Sequence, residues 1–182
     1  PTHGVGRVQG IETITIAGHE LKMIVVTFDE TRMTLKVPVS KAASAGLRKL
    51  VRLRHGIAKN LARIRKSLRW ISLKTNLPGP KVLESSNAQK WILAQEDKFS
   101  QCDRKAARLD LDIIISLERA LKDIEREIKD YIGKFAELQS LDRLFQSVPG
   151  IGGIAAATII AETGDIKRFD NPDQISCYAG LC

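Results

Sequence analysis

The chain has 182 residues, enough for one or two small domains, and its 43% hydrophobic and 27% charged residues are the proportions of an ordinary globular protein. No apolar run approaches the roughly 20 residues that span a bilayer and no secretory signal is evident, so membrane and exported classes are set aside. Net charge is +8 but unevenly placed: between Thr31 and Leu83 stand 14 Lys or Arg and no Asp or Glu, leaving the remainder net acidic. Such a block repels itself unless it meets an anion, and a nucleic-acid phosphate backbone is the obvious large one. Cys102, Cys177 and Cys182 form no C-x-x-C pair and lie far from His3, His19 and His55. That pattern points to a reducing, cytoplasmic compartment with neither a disulfide framework nor a Cys/His metal site. Aromatics make up 5% of the chain, too few to suggest a row of base-stacking platforms.

Residues 1–50 read as β structure. Gly4 to Ile11 alternates small and apolar positions, and Thr13 to Ile16 continues as a strand. Ala17 to Glu20 is a turn, Leu21 to Phe28 a strand, Asp29 to Arg32 a second turn, and Met33 to Val37 a strand ended by Pro38. Short strands and tight turns predict a small, strongly bent sheet or barrel. The chain begins at Pro1 within this pattern, as a fragment does. From Val51 the composition changes. Arg52, Arg54, Lys59, Arg63, Arg65, Lys66, Arg69 and Lys74 interleave with Leu53, Ile57, Leu61, Ile64, Leu68 and Ile71, apolar positions at helical spacing. The spacing predicts an amphipathic helix with a basic outer face, stopped at Leu77-Pro78-Gly79-Pro80. These cations are candidate DNA contacts. A solvated helix face is the plainer reading, and the missing acids weigh against it.

Ser85-Ser86-Asn87 reads as an N-cap cluster before a helix over Ala88 to Phe99. Ile114, Leu117, Leu121, Ile124, Ile128, Tyr131, Phe135 and Leu138 are then spaced 3-4-3-4-3-4-3, a coiled-coil seam. Its partner is the preceding helix, turned back through Ser100-Gln101 as an antiparallel hairpin, or a second chain in a homodimer. Next, Val148-Pro149-Gly150-Ile151-Gly152 precedes the apolar run Ile154 to Ala161. Pro149 stops an incoming helix, Gly150 and Gly152 supply positive φ and bare backbone, and Ala155, Ala156 and Ala157 favour a second helix. The unpaired amides of that helix suit a phosphate oxygen, which adds Gly150, Gly152 and Gly153 to the candidate DNA-binding set. The alternative is a glycine turn between packed helices, with Ile151, Ile154, Ile159 and Ile160 as core.

Two resemblances follow from these residues. Pro1 to Gly6, Ile11-Glu12, Phe28, Met33 to Val39 and Gly46 to Leu50 resemble the N-terminal domain of CarD-type transcription regulators. That resemblance implies a Tudor-like barrel that docks on the β-subunit of bacterial RNA polymerase through the strand carrying Lys36. The family's first strand is missing here, and Lys36 on composition alone is a solvent-facing lysine. PGIG at 149–152, Ala161-Glu162-Thr163-Gly164-Asp165, Arg168-Phe169 and Tyr178-Ala179-Gly180-Leu181 resemble DEDD-type insertion-sequence transposases, the IS-one-ten class that includes Piv-type DNA invertases. That class has a coiled coil, a C-terminal helix-hairpin-helix element and an RH…KN-rich helix, partly matched by Arg54-His55 and Lys59-Asn60.

The expected fold is therefore α+β and mostly α. It comprises a truncated Tudor-like barrel (1–50), a basic helix and Pro/Gly linker (51–84), a coiled-coil helical hairpin (85–143) and a truncated helix-hairpin-helix domain (144–182). The transposase class takes four acidic residues from a ribonuclease-H-like domain, where a divalent metal such as magnesium would act, and a serine beyond its YAGL-type motif. Neither is matched here. Asp110 and Asp112 lie on different helix faces, and Glu162 and Asp165 are scaffold positions. Expected, then, is a catalytically empty bacterial DNA-binding remnant with no cofactor or metal. The alternatives are a CarD-type regulator that binds both polymerase and DNA, and an oligomeric scaffold with no nucleic-acid role.

Overall fold

The structure is a computed structural model, and it describes residues 6–16, 19–28, 33–79, 84–164 and 169–178. Among these, most are helical, with one three-stranded sheet at the N-terminal end. By contact the chain forms two compact units, one of Pro1–Lys49 with Tyr131–Cys182 and one of Leu50–Asp130, a grouping unlike the four consecutive segments expected.

In the first unit β1 (Gly6–Ile16), β2 (His19–Phe28) and β3 (Met33–Pro38) form an antiparallel meander with β2 central. The two segments expected on either side of Glu12 are one strand, with a register shift between Val8 and Gly10. The β2 ladder begins at His19, so His19 and Glu20 belong to a strand rather than a turn. The expected turns at Ala17-Gly18 and Asp29 to Arg32, and the Pro1 to Val5 start, lie outside the described residues. Alternation decides the faces: Met23 and Val25 are buried, while Ile24 and Val26 face the other side beside Ile11, Val37, Val8 and Leu35.

The β reading of 1–50 fails after Pro38. Helix α1 runs from Val39 to Lys74, because Ala42, Ala43 and Ala45 favour helix and Pro38 sits just ahead of its first turn, where its missing N–H costs nothing. Ala43, Leu47 and Val51 bury one stripe at four-residue spacing. In the first unit Tyr131 donates its hydroxyl to the Ala43 carbonyl at 3.1 Å. Gly46 makes the room, since a Cβ there would overlap that hydroxyl. Helix α4 (Ala136–Gln146), helix α5 (Gly153–Thr163) and the short helix α6 (Pro172–Tyr178) complete the unit.

The second unit is helical. Besides most of α1 it holds α2 (Ser85–Gln95), a single 3₁₀ turn (Glu96–Lys98) and most of α3 (Gln101–Gly133). Helix α1 ends at Lys74 and is closed by Asn76, whose φ of 52° is left-handed, with Leu77 N–H on the Ser72 carbonyl at 3.0 Å and Asn76 N–H on the Leu73 carbonyl at 3.1 Å. That is a Schellman closure, so the helix stops before Pro78 rather than because of it. The core joins Leu61, Leu68 and Ile71 of α1 to Ala88, Trp91 and Ile92 of α2, Phe99, and Ala107, Leu111 and Ile114 of α3. Trp91 Nε1 donates to the Pro78 carbonyl at 2.6 Å and its ring lies 5.5 Å from that of Phe99.

Two expectations are corrected here. Helix α2 starts at Ser85, behind Glu84, with no side-chain cap. The Ser85 N–H is instead met by Glu118 of α3 at 3.1 Å. The seam also breaks: α3 ends at Gly133, and Phe135 is the N-cap of α4 rather than a further seam position. Of the seam, Ile114, Ile124, Ile128 and Leu138 are buried within the single chain, and α1 shares with α2 the role of partner to α3.

Candidate nucleic-acid interface

Along α1 the eight predicted cations separate into two kinds. Arg54 donates from Nε and Nη2 to Glu125 Oε1 at 3.0 and 2.8 Å, Arg65 to Glu118 at 2.8 Å, and Lys74 to Asp103 at 2.8 Å. These three flank the apolar seam and cross to α3, an antiparallel pairing because the α1 numbers rise as the α3 numbers fall. Burial works to raise the Glu118 carboxyl, but the Ser85 and Arg65 hydrogen bonds outweigh it and hold its pKa below the ordinary 4.5. The Lys74 and Ser100 hydrogen bonds hold the Asp103 carboxyl below 3.8. Compensating acids do exist, then, supplied from α3 and not from the basic block itself. The seven-residue step from Glu118 to Glu125, flanking Leu121 and Ile124, is the flank pattern of a helix pair and was the available sequence signal.

The other kind is exposed. Lys59, Arg63, Lys66 and Arg69 face solvent and take part in no ion pair among the described residues. Arg52 is exposed too but is engaged with another group. Steps of seven, four and three put Arg52, Lys59, Arg63 and Lys66 on one face, with Arg69 beside it. Four residues beyond Lys66 the same face carries Trp70, which sequence reasoning did not single out.

The second candidate is the turn between α4 and α5. The chain leaves α4 through Ser147, whose N–H meets Arg143 and Leu144 carbonyls at 3.1 and 3.3 Å, and Ile151 N–H closes on Val148 at 3.1 Å. Gly150 has φ of 92°, as the turn requires. Gly152 does not: it is the extended N-cap of α5, φ −85° and ψ 170°, and a Cβ would meet nothing within 4 Å. Gly153 opens the helix. Among the described residues the amides of Gly153, Ile154 and Ala155 find no backbone acceptor, while Ala156 N–H is satisfied by the Gly152 carbonyl at 2.9 Å. Helix α5 buries Ala156, Ala157, Ile160 and Ala161, so small residues supply most of its contact; Ile151, Ile154 and Ile159 are half-buried.

The far end of α5 is closed by side chains. Gly164, φ 61°, is its C-cap, Arg48 Nε donates to the Ala161 carbonyl at 2.7 Å, and the Tyr178 hydroxyl donates to Glu162 at 3.1 Å. The Phe169 and Tyr178 rings lie 5.5 Å apart. Glu162 is thus part of a scaffold, 3.7 Å from Arg48. Asp165, Arg168, Ala179, Gly180, Leu181 and Cys182 lie outside the described residues. On the sheet, Lys36 reaches across β2 to Glu12 at 2.7 Å, with both side chains about half exposed.

Among the described residues no three His, Cys, Asp or Glu side chains gather as a metal-holding group, and no helix is long and apolar enough to cross a membrane.

Comparison with known proteins finds relatives among insertion elements. An uncharacterized 44.8 kDa protein of insertion element IS116 from Streptomyces clavuligerus is 26% identical over 106 residues, 56% of this chain and 23% of that one. The transposase for insertion sequence element IS1111A from Coxiella burnetii is 31% identical over 68 residues, 37% of this chain and 18% of that one. The aligned stretches thus span about a fifth of each of those relatives. No solved structure matches. The chain joins two similarities in sequence: residues 1–51 match the CarD-like/TRCF RID domain, and residues 142–182 match the transposase IS116/IS110/IS902 family.

Proposed function

We propose that the chain is the DNA-binding remnant of an insertion-sequence transposase joined to a CarD-like segment, and that residues 1–182 alone cleave no DNA. The observation that carries the reading is the unpaired row Lys59, Arg63, Lys66 and Arg69, which stays exposed after α3 has neutralised Arg54, Arg65 and Lys74. Cations presented this way grip phosphate by releasing counterions and read no bases. The α4–α5 turn is a helix-hairpin-helix element whose Gly153, Ile154 and Ala155 amides face a second phosphate at the positive end of the helix dipole. Catalytic silence is supported by how the acids are used: Asp103, Glu118 and Glu125 are tied to α1 cations rather than grouped for a metal.

Titration of labelled duplexes tests this. Two unrelated sequences are expected to bind with similar affinity, and supercoiled plasmid is expected to survive incubation with magnesium. Indifference to DNA in dilute buffer overturns the binding half, and magnesium-dependent nicking overturns the other.

A second reading is favoured by the match of residues 1–51 to the CarD-like/TRCF RID domain. In it the sheet is an open Tudor-like barrel that holds the RNA polymerase β-subunit through the strand of Lys36, and α1 serves as the DNA clamp of a transcription regulator. Retention of polymerase on the immobilised chain, lost in Lys36→Glu, is the expected result; equal retention by the variant removes it.

A further inference from the structure

The chain has two tryptophans, and they live in opposite surroundings. Trp91 is 8% exposed, hydrogen-bonded to Pro78 and packed on Phe99. Trp70 is 67% exposed, and among the described residues its ring has neither a hydrogen bond nor a ring contact. An indole left in water forgoes the largest burial gain any side chain offers, which is why exposed tryptophan concentrates at binding surfaces. Its position is specific: Lys66 lies one helical turn before it, Arg63 two turns and Lys59 three, so the ring stands at the end of a cationic row about 16 Å long. Leu73, 66% exposed, extends the apolar patch by a turn.

Resting on the phosphate-binding reading above, we infer that Trp70 is a stacking platform for an unpaired nucleobase. Its ligand is a nucleic acid with a single-stranded stretch, whose phosphates lie along Lys59, Arg63 and Lys66. Charge complementarity selects a polyanion over a neutral apolar partner. A duplex keeps its bases stacked on one another and offers the indole no face; an unpaired strand offers one at every nucleotide. A cationic track ending in an aromatic ring is the arrangement that holds single strands without regard to sequence.

The test compares oligothymidylate, oligouridylate and a duplex, each of about 15 nucleotides per strand, against the full chain, Trp70→Ala and Trp70→Phe. Because the ring is outside the core, circular dichroism should be the same for all three proteins. Expected is a loss of about 10-fold or more in single-strand affinity for Trp70→Ala, duplex affinity unchanged, and recovery of most of the loss in Trp70→Phe. The tighter of the two single strands identifies DNA or RNA as the source of the unpaired base. Equal losses on duplex and single strand, or no loss on either, overturn the inference while the phosphate grip stands. Failure to bind any of the three probes removes the underlying reading as well. A dimer that Trp70→Ala dissociates gives the ring to a second copy, and the inference is wrong.

Discussion

Single residues fix how the first unit closes. Tyr131 donates to Ala43, and only the missing side chain of Gly46 lets its hydroxyl approach. Gly46→Ala gains helix propensity but drives a methyl into the Tyr131 hydroxyl, so it should destabilise by about 1–3 kcal/mol, read as a lowered melting temperature. Arg48 is the other such residue. Its guanidinium satisfies the Ala161 carbonyl at the end of α5, and Arg48→Ala should cost about 1–3 kcal/mol and speed hydrogen exchange in the last turn of α5. Gly152 is the contrasting case. With φ in the ordinary region and open space where a Cβ would stand, Gly152→Ala should leave the melting temperature nearly unchanged. From the pentapeptide Val148 to Gly152 both glycines looked alike; only the turn geometry assigns positive φ to Gly150 and an extended cap to Gly152.

At the scale of elements, the acid response of α1 against α3 follows from two carboxylates. Asp103 and Glu118 have folded pKa values below their ordinary 3.8 and 4.5. The unfolded chain binds these protons first, so their stabilisation is complete above the ordinary values and is lost as pH falls through the folded ones. Thermal melts should therefore weaken as pH drops below 4.5, and Glu118→Gln should flatten that decline while lowering stability at neutral pH. The 3-4 spacing from Ile114 announced a packed helix, and the sequence placed its start at Ser100-Gln101, where the Ser100 hydroxyl accepts from the Asp103 N–H at 3.1 Å and donates to the Asp103 carboxylate at 2.6 Å. What the spacing could not supply was the partner. Periodicity describes one surface, and the pairing of Glu118 with Arg65 or Glu125 with Arg54 depends on two helices distant in sequence. The break at Gly133 was hidden for the same reason, because Phe135 and Leu138 keep the period after the chain has turned.

For the whole molecule, the end of the CarD-like match falls inside a continuous helix. Residue 51, where the CarD-like match ends, lies within α1, in its first half, and Leu47 and Val51 share its buried stripe. Residues from both matched segments, Arg48 and Ala161, meet within one compact unit. The change of composition at Val51 was visible in sequence, but it marks a change of charge rather than of secondary structure. The central claim is that DNA is held by the α1 cations that α3 leaves unpaired. The most direct test is the salt dependence of duplex binding for the wild-type chain, for Lys59, Arg63, Lys66 and Arg69 all changed to Gln, and for Arg54→Gln with Arg65→Gln. Each phosphate contact adds about 0.9 to the slope of log affinity against log salt. The fourfold variant should lose about 3–4 of that slope, whereas the paired-arginine variant should melt earlier yet keep its slope. A fourfold variant with the wild-type slope would contradict the account.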